Sequence, residues 1–320
     1  MTETTLGLSN TEMAQWRRCP RKWYLATYLG LKRRVGPEAG SALSIGDLVH
    51  NALAAYYDPA QNADPVAFAE AELEKEIKEH PADEDALRKE FGLVSAMLSG
   101  YLEWLSETGA DSDLRILGSE RMVRIPLKYG DGTPVGVHLL SKLDAPVEKI
   151  SEGRRLALEH KTTGDLAQPL MGLRIDSQLL TEHLALFLAA KEAGASTEEA
   201  LDACRGILYN MLKKVKRTAA AKPPFFKREE VTHNIIELRN HWHHVIAVAV
   251  EIQAATERLN AGESHHTVCR PNPMPHDCYR MCPFFRVCPM ADDGSDFEGA
   301  LATIYEEHDP LERYADAETL

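Results

Sequence analysis

Hydrophobic and polar positions along this chain divide it into a helical first third, a strand-rich centre and a helical return. "LSNTEMAQWRRCPRKWYLATYL" (8–29) opens with Ser9 and Glu12 in capping-box spacing, which predicts a helix from near Asn10 that Pro20 breaks or bends after Cys19. A Gly- and Pro-containing linker, "GPEAGSA" (36–42), leads to a second helix over "LSIGDLVHNALAAYY" (43–57). Asp64-Pro65 starts a third, charged helix through about His80, and a fourth runs from about Asp83 to Ser106.

The period then changes. "LRILGSERMVRIPL" (114–127), "VGVHLLSKLDAPV" (135–147) and "RRLALEHKT" (154–162) read as strands separated by the turn-rich "KYGDGTP" and "KISEGR". "DSQLLTEHLALFLAAKEAG" (176–194) returns to helical spacing, and "GILYNMLKKV" (206–215) reads as another strand. A long amphipathic helix over 235–262 ends at Gly262. There is no internal repeat. Helices, a three-strand meander, a helix, a strand and a helix make the fold class α/β, bordering on α+β.

Composition narrows this further. With 320 residues and 44% apolar content, the chain suits one large domain or a domain with an elaborated insertion. No run of eighteen apolar residues and no basic, then apolar, leader is present, so the expectation is a cytoplasmic protein with no membrane partner. The net charge of −13 argues against a general cationic coat for nucleic acid. Positive charge is concentrated instead. Arg17 to Arg34 carries seven cations and no acid, and Ala203 to Arg228 carries eight and no acid. Each tract reads either as a solvated face or as a local phosphate track.

Candidate chemistry sits in the strands. In "LALEHKTTG", Glu159 and Lys161 are two apart on a predicted strand, so both point to one face. Asp144 ends the preceding strand, and a two-strand unit would bring it beside Glu159. Neighbouring carboxylates repel unless a cation lies between them, and Mg²⁺ or Mn²⁺ supplies one through oxygen ligands. Lys161 could then orient or deprotonate an attacking water, or offset charge on a phosphate. Taken alone, the same residues read more readily as a surface salt bridge, Lys161 with Asp144 or Glu159.

The ordered set resembles the PD-(D/E)XK nuclease superfamily, and within it the RecB-like branch with an iron–sulfur cluster, which includes AddB-type nuclease domains, CRISPR-associated exonucleases and phage relatives. The similarity runs from Leu8 to Pro289. It implies a restriction-endonuclease-like core, a mixed sheet flanked by helices, in a nuclease domain over 1–290. That domain comprises cluster-binding segments (1–35 and 265–290), a helical part (43–110), a catalytic sheet core (114–235) and a long helix (235–262), followed by an acidic tail (291–320). The family's Gly-x-x-x-His helix matches Gly46 to His50, implying a metal ligand at His50. Its acids match Asp144 and Glu159, its lysine Lys161, and its following-helix glutamine Gln178; the backbone carbonyl of His160 completes the implied metal set. Two positions depart from the pattern: Ser141 stands where the family often has glycine, and Glu182 where it often has tyrosine.

Three of the six cysteines fall within "CYRMCPFFRVCPM" (278–290). Cys278, Cys282 and Cys288, with Cys19 in a Cys-Pro dipeptide followed by aromatics, match the thiolates that hold a 4Fe–4S cluster in the related nucleases. The spacing C-x3-C-x5-C is one residue longer than the usual one, which keeps Cys269 open as an alternative to Cys278. Four thiolates alone are equally compatible with zinc. Cys204 reads as an ordinary buried residue. Trp16, Trp23, Tyr24 and Tyr28 read as core or as base-stacking residues, and His241 and His244 as surface and packing residues.

The implied activity is metal-dependent DNA exonuclease action on single strands or DNA ends, in phage or bacterial recombination, repair or CRISPR adaptation. The alternative is a catalytically silent DNA-end-binding or assembly subunit with a nuclease fold.

Overall fold

The computed structural model describes residues 6–34, 45–315 and 317–319; the linker expected at 36–42 lies outside the described residues. The chain divides into two compact units, one comprising residues 35–122 and 141–241, the other residues 1–34, 123–140 and 242–319.

The first of these units is built on a five-stranded sheet: β1 (Leu114–Ile116), β2 (Ala145–Lys149), β3 (Arg154–Thr163), β4 (Cys204–Lys213) and β5 (Phe226–Val231), in that spatial order. β3 and β4 pair in parallel and the other neighbours antiparallel, so the sheet is mixed. The parallel step needs a crossover. Helices α4 (Ser177–Glu192) and α5 (Thr197–Ala203) supply it. In the centre of β3, Leu156, Ala157, Leu158, Glu159 and His160 are buried consecutively, as a strand covered on both faces requires. Gly206 begins this stretch of β4 at φ +137, and a Cβ there would meet the Val231 carbonyl at 2.1 Å, so only glycine fits.

Helices α1 (Ile45–Tyr57), α2 (Pro65–Glu79) and α3 (Glu84–Thr108) precede the sheet. Asp64 starts α2 by accepting from Val66 and Ala67 N–H, with Pro65 at the first helical position, and α3 stops at Gly109 in the left-handed region. Leu48, Val49, Ala52 and Leu53 of α1 and Val94, Met97 and Leu98 of α3 share one core with Val147, Leu156 and Leu158 of the sheet. That packing fixes α1 against β3, which carries Glu159, and against β2, which Asp144 immediately precedes.

In the other unit, strand Leu6–Ser9 pairs in parallel with residues 137–140, and Leu31–Arg33 pairs antiparallel with Tyr305–Glu307. Ser9 caps helix Asn10–Arg18 by accepting from Glu12 N–H at 3.2 Å. Pro20 begins the next helical turn, Pro20–Trp23, and the break falls on Cys19, which is extended at φ −162 and ψ 105. The proline ring clashes with a helical predecessor, which places the break one residue before it. The expected acidic tail is folded: Phe297–Ile304 is a helix, and Tyr305 packs on Phe284 with Leu25 and Val287. Among the described residues, no helix is long and apolar enough to cross a membrane.

Candidate active site

The ladder between β2 and β3 ends at Ala145 opposite Leu158, and Asp144 sits at the bend before β2. Two residues beyond the ladder on β3, His160 N–H donates to Asp144 Oδ2 at 3.0 Å, so a carboxylate takes the place of a ladder carbonyl. α1 brings His50 to the same oxygen, with Nδ1 at 3.3 Å. His50 Nε2 lies 2.6 Å from the His160 carbonyl, and because a carbonyl only accepts, Nε2 carries the hydrogen. His50 and the His160 carbonyl, both implied metal ligands, are therefore hydrogen-bonded to each other.

Gln178 stands in the first turn of α4, where Asp176 caps the helix by accepting its N–H at 2.8 Å. Its side-chain amide donates to Glu159 Oε1 at 2.8 Å and to Glu182 Oε1 at 2.9 Å. Glu182, one helical turn on, is 1% exposed. The structure thus brings Asp144, Glu159, Gln178 and Glu182 together, with Lys161 two residues along β3 from Glu159.

Burial pushes Glu159 well above the carboxylate range, reinforced by the neighbouring Glu182 and Asp144. Glu182 is raised for the same first reason, with Asp144 adding to it. For Asp144 burial also acts upwards, but His50, His160 and the His160 N–H outweigh it and leave its pKa lowered. Lys161 lowers both glutamates.

Buried Oε2 atoms of Glu159 and Glu182 have no hydrogen-bond partner. Unsatisfied acid oxygens at a buried site are what a hard divalent cation pairs with, so the donor set fits Mg²⁺ or Mn²⁺. Among the described residues, no group of three or more His, Cys, Asp or Glu side chains is arranged to hold a metal ion as it stands.

Behind the site lies a polar network. His160 is fully buried, its imidazole depressed to about 3 by burial, and it stacks on Tyr57. Asn210 donates to its Nδ1 at 2.9 Å and to Tyr101 Oη at 3.0 Å. Arg228 donates to Asn210 Oδ1, Tyr57 Oη, Tyr101 Oη and the Ala110 carbonyl, and pairs with Asp111 at 2.6 Å. Arg228 came from the second basic tract, so that tract is not a uniform phosphate track.

A family model for the PD-(D/E)XK nuclease superfamily matches residues 7–289. The chain belongs to the PD-(D/E)XK nuclease superfamily. No curated protein sequence matches it. Superfamily members are typically nucleases that use divalent metals such as Mg²⁺ or Mn²⁺, and a nuclease fold suggests DNA binding.

The superfamily match also spans the cysteine segments, and the structure puts these in the other unit. Cys19, Cys278, Cys282 and Cys288 line one cavity of about 440 Å³. Arg21 lies 3.9 Å from Cys288 Sγ and the Asn272 N–H donates to Cys19 Sγ at 3.4 Å, so donors are aimed at two of the sulfurs. Arg21 itself is buried and bound to Asp292 at 2.5 and 3.0 Å. Cys269 is fully buried outside that lining, its thiol pushed up to about 11 by burial. Cys204 is likewise buried, donating to the Leu186 carbonyl. Trp23 is core and donates to Glu12; His241 packs on Thr181, while His244 is exposed.

Glu182, Asn210 and Arg228 are the site residues that sequence reasoning missed. Glu182 was visible as a departure from the family pattern, and its four-residue offset from Gln178 put both on one face of a predicted helix. Nothing in the sequence linked Arg228 to Asp111.

Proposed function

We propose that this protein is a metal-dependent DNA exonuclease of the RecB-like type, hydrolysing phosphodiester bonds at single-stranded DNA or DNA ends. The observation that carries the reading is the convergence of His50, Asp144, Glu159, Lys161 and Gln178, drawn from two helices, one strand and the bend before another, on one spot. A surface salt bridge would not bury two acids beside unsatisfied oxygens.

Asp144, Glu159, His50 and the His160 carbonyl would hold Mg²⁺ or Mn²⁺, which would supply Lewis acidity and offset charge building on the phosphate. Gln178 holds the Glu159 carboxylate in one orientation. Asp144 is fixed by the His160 N–H. Lys161 hydrogen-bonds the attacking water and keeps it in line with the phosphorus. His160, neutral and stacked on Tyr57, fixes the backbone between Glu159 and Lys161.

Support for a single strand comes from the approach to Lys161. A cavity of about 350 Å³ there is lined by Lys161, Thr162, Gln168, Leu173, Ile175 and Tyr209, among others. Ile175 of that lining is 83% exposed, and Met171, next in sequence to Gly172 of the same lining, is 84% exposed. Apolar side chains so exposed suit the faces of unstacked bases, which a closed duplex does not offer.

The four cavity cysteines hold a 4Fe–4S cluster in this reading. The donors directed at Cys19 and Cys288 stabilise thiolate charge, and the cluster staples the N-terminal helix to the C-terminal segment. The setting is recombination, repair or CRISPR adaptation in a phage or bacterial cytoplasm. The decisive experiment offers linear and circular single-stranded DNA of equal length with Mn²⁺. Loss of the linear form alone supports an exonuclease. Equal cutting of both contradicts it, and binding to ends without cutting by either metal favours the silent end-binding subunit.

A further inference from the structure

The unit that carries the clustered cysteines holds a second cavity, of about 320 Å³, which the chemistry above does not use. Its walls come from helix Asn10–Arg18, strand Leu31–Arg33 and the stretches around Phe284 and Leu311. Ligand sites run from roughly 300 to 1,000 Å³, so a small occupant fits. Charge in the lining is one-sided. Lys22, Lys32, Arg33 and Arg313 belong to it, and Glu12 is the one acid among the described lining residues. Lys32 also pairs with Glu306 at 3.3 Å. Among the described residues, Lys22, Arg33 and Arg313 make no ion pair that would neutralise them. On a chain of net charge −13, cations gathered at one cavity favour a compact anion, and arginine forks match phosphate oxygens.

The rest of the wall indicates what that phosphate is attached to. Leu31, Pro283, Phe284 and Leu311 give it an apolar face. Glu12 and Gln15 also line it and, three apart on one helix, lie side by side. Glu12 is buried; its Oε1 accepts from Trp23 Nε1–H at 2.9 Å, and its Oε2 has no partner. A position chosen for packing alone would not keep a buried acid with an unmatched oxygen. Gln15 Oε1 already accepts from the Thr27 hydroxyl at 2.8 Å, which leaves the amide N–H groups to donate. An acceptor beside a donor complements a nucleobase edge, where an N–H adjoins an acceptor nitrogen or oxygen.

We propose that this cavity binds a nucleoside monophosphate, with the phosphate on Lys22, Lys32, Arg33 and Arg313 and the base edge on Glu12 and Gln15. The inference stands apart from the nuclease reading, because neither the acids of the other unit nor cleavage enters it. Two sources carry this chemistry: a free nucleotide, or the phosphorylated terminal nucleotide of a strand.

Full-length protein purified without oxygen is titrated with deoxyadenosine monophosphate by calorimetry, in the absence of divalent metal, so that the acid site has no cation to offer a phosphate. Inorganic phosphate and deoxyadenosine are titrated in parallel. The expected result is one site per chain, with the nucleotide bound more tightly than either fragment. Arg33→Ala with Arg313→Ala should weaken nucleotide and inorganic phosphate alike, by at least about tenfold. Glu12→Gln should weaken the nucleotide severalfold and leave inorganic phosphate unchanged. Trp23 holds the remaining oxygen, so an N–H replaces Oε2 and confronts the N–H of the base. Circular dichroism and thermal melting verify that the variants fold. Oligonucleotides with a 5′-phosphate, a 3′-phosphate or neither then compete for the site. Displacement by a phosphorylated end alone assigns the pocket to a strand terminus, and displacement by none of them assigns it to free nucleotide. No saturable binding of deoxyadenosine monophosphate by wild type, or wild-type affinity in either variant, overturns the proposal.

Discussion

Replacing Arg228 by methionine tests whether the buried network behind β3 holds the site in place. The guanidinium is 9% exposed in its side chain and pairs with Asp111, whose side chain is 27% exposed. Breaking a fully buried pair by removing one partner costs about 3–5 kcal/mol, and the partial exposure of Asp111 puts this pair at the lower end. Tyr57 and Tyr101 keep each other at 2.7 Å, and Tyr57 keeps Asp111 at 2.9 Å, so neither hydroxyl is stranded. Asn210 Oδ1 does lose its donor, and a buried acceptor without one costs about 1–3 kcal/mol. Since methionine fills much of the vacated space, the net loss should be about 3 kcal/mol. Urea unfolding followed by far-ultraviolet circular dichroism reads it. The same variant should lower kcat severalfold more than it weakens DNA binding, because Asn210 orients His160 between Glu159 and Lys161. A loss below about 1 kcal/mol would refute the network's structural role. So would a fall in DNA affinity with kcat unchanged, which would return Arg228 to the phosphate track.

Glu12 gives a pH signature away from the active site. Burial raises its pKa from 4.5 to about 7, so its contribution to stability is complete below pH 4.5 and lost as pH rises through 7. Glu12→Gln should therefore gain about 3 kcal/mol over wild type at pH 8 and nothing at pH 4.5; equal gains at both would refute the assignment. Anaerobically purified Cys282→Ser should lose iron and acid-labile sulfide, while Cys269→Ser keeps both; zinc in the wild type in place of iron would exclude the cluster. Met171→Ala with Ile175→Ala should raise KM for single-stranded DNA severalfold with kcat held, and an unchanged KM would remove this surface from the strand path.

The site residues closest to the chemistry were legible because they obey local rules. Glu159 and Lys161 share a face by strand alternation, and Gly46 and His50 are one helical turn apart. Asp144 could be matched because the ladder that ends beside it is set by two adjacent strands. Residues whose roles depend on distant partners were not legible. Arg228 reads as part of a basic loop until β5 brings it to Asp111, more than a hundred residues earlier. Glu182 reads as the polar side of a helix until both faces of α4 prove buried. The acidic C-terminal segment lacks a strong period, and its order comes from pairing Tyr305–Glu307 with Leu31–Arg33. Strand Leu6–Ser9 is too short for alternation to reveal it.

Lys161→Ala bears most directly on the central claim, since it removes the lysine without touching the carboxylates. Wild type and variant, both purified without oxygen, are compared on end-labelled single- and double-stranded DNA with Mn²⁺, and binding to the same DNA is measured with Ca²⁺. The account predicts that wild type degrades DNA from an end, while the variant binds it equally well and is slower by at least about a hundredfold. If Lys161→Ala cuts as fast as wild type, or neither cuts while both bind DNA ends, the assignment of Asp144, Glu159 and Lys161 as a hydrolytic centre is contradicted.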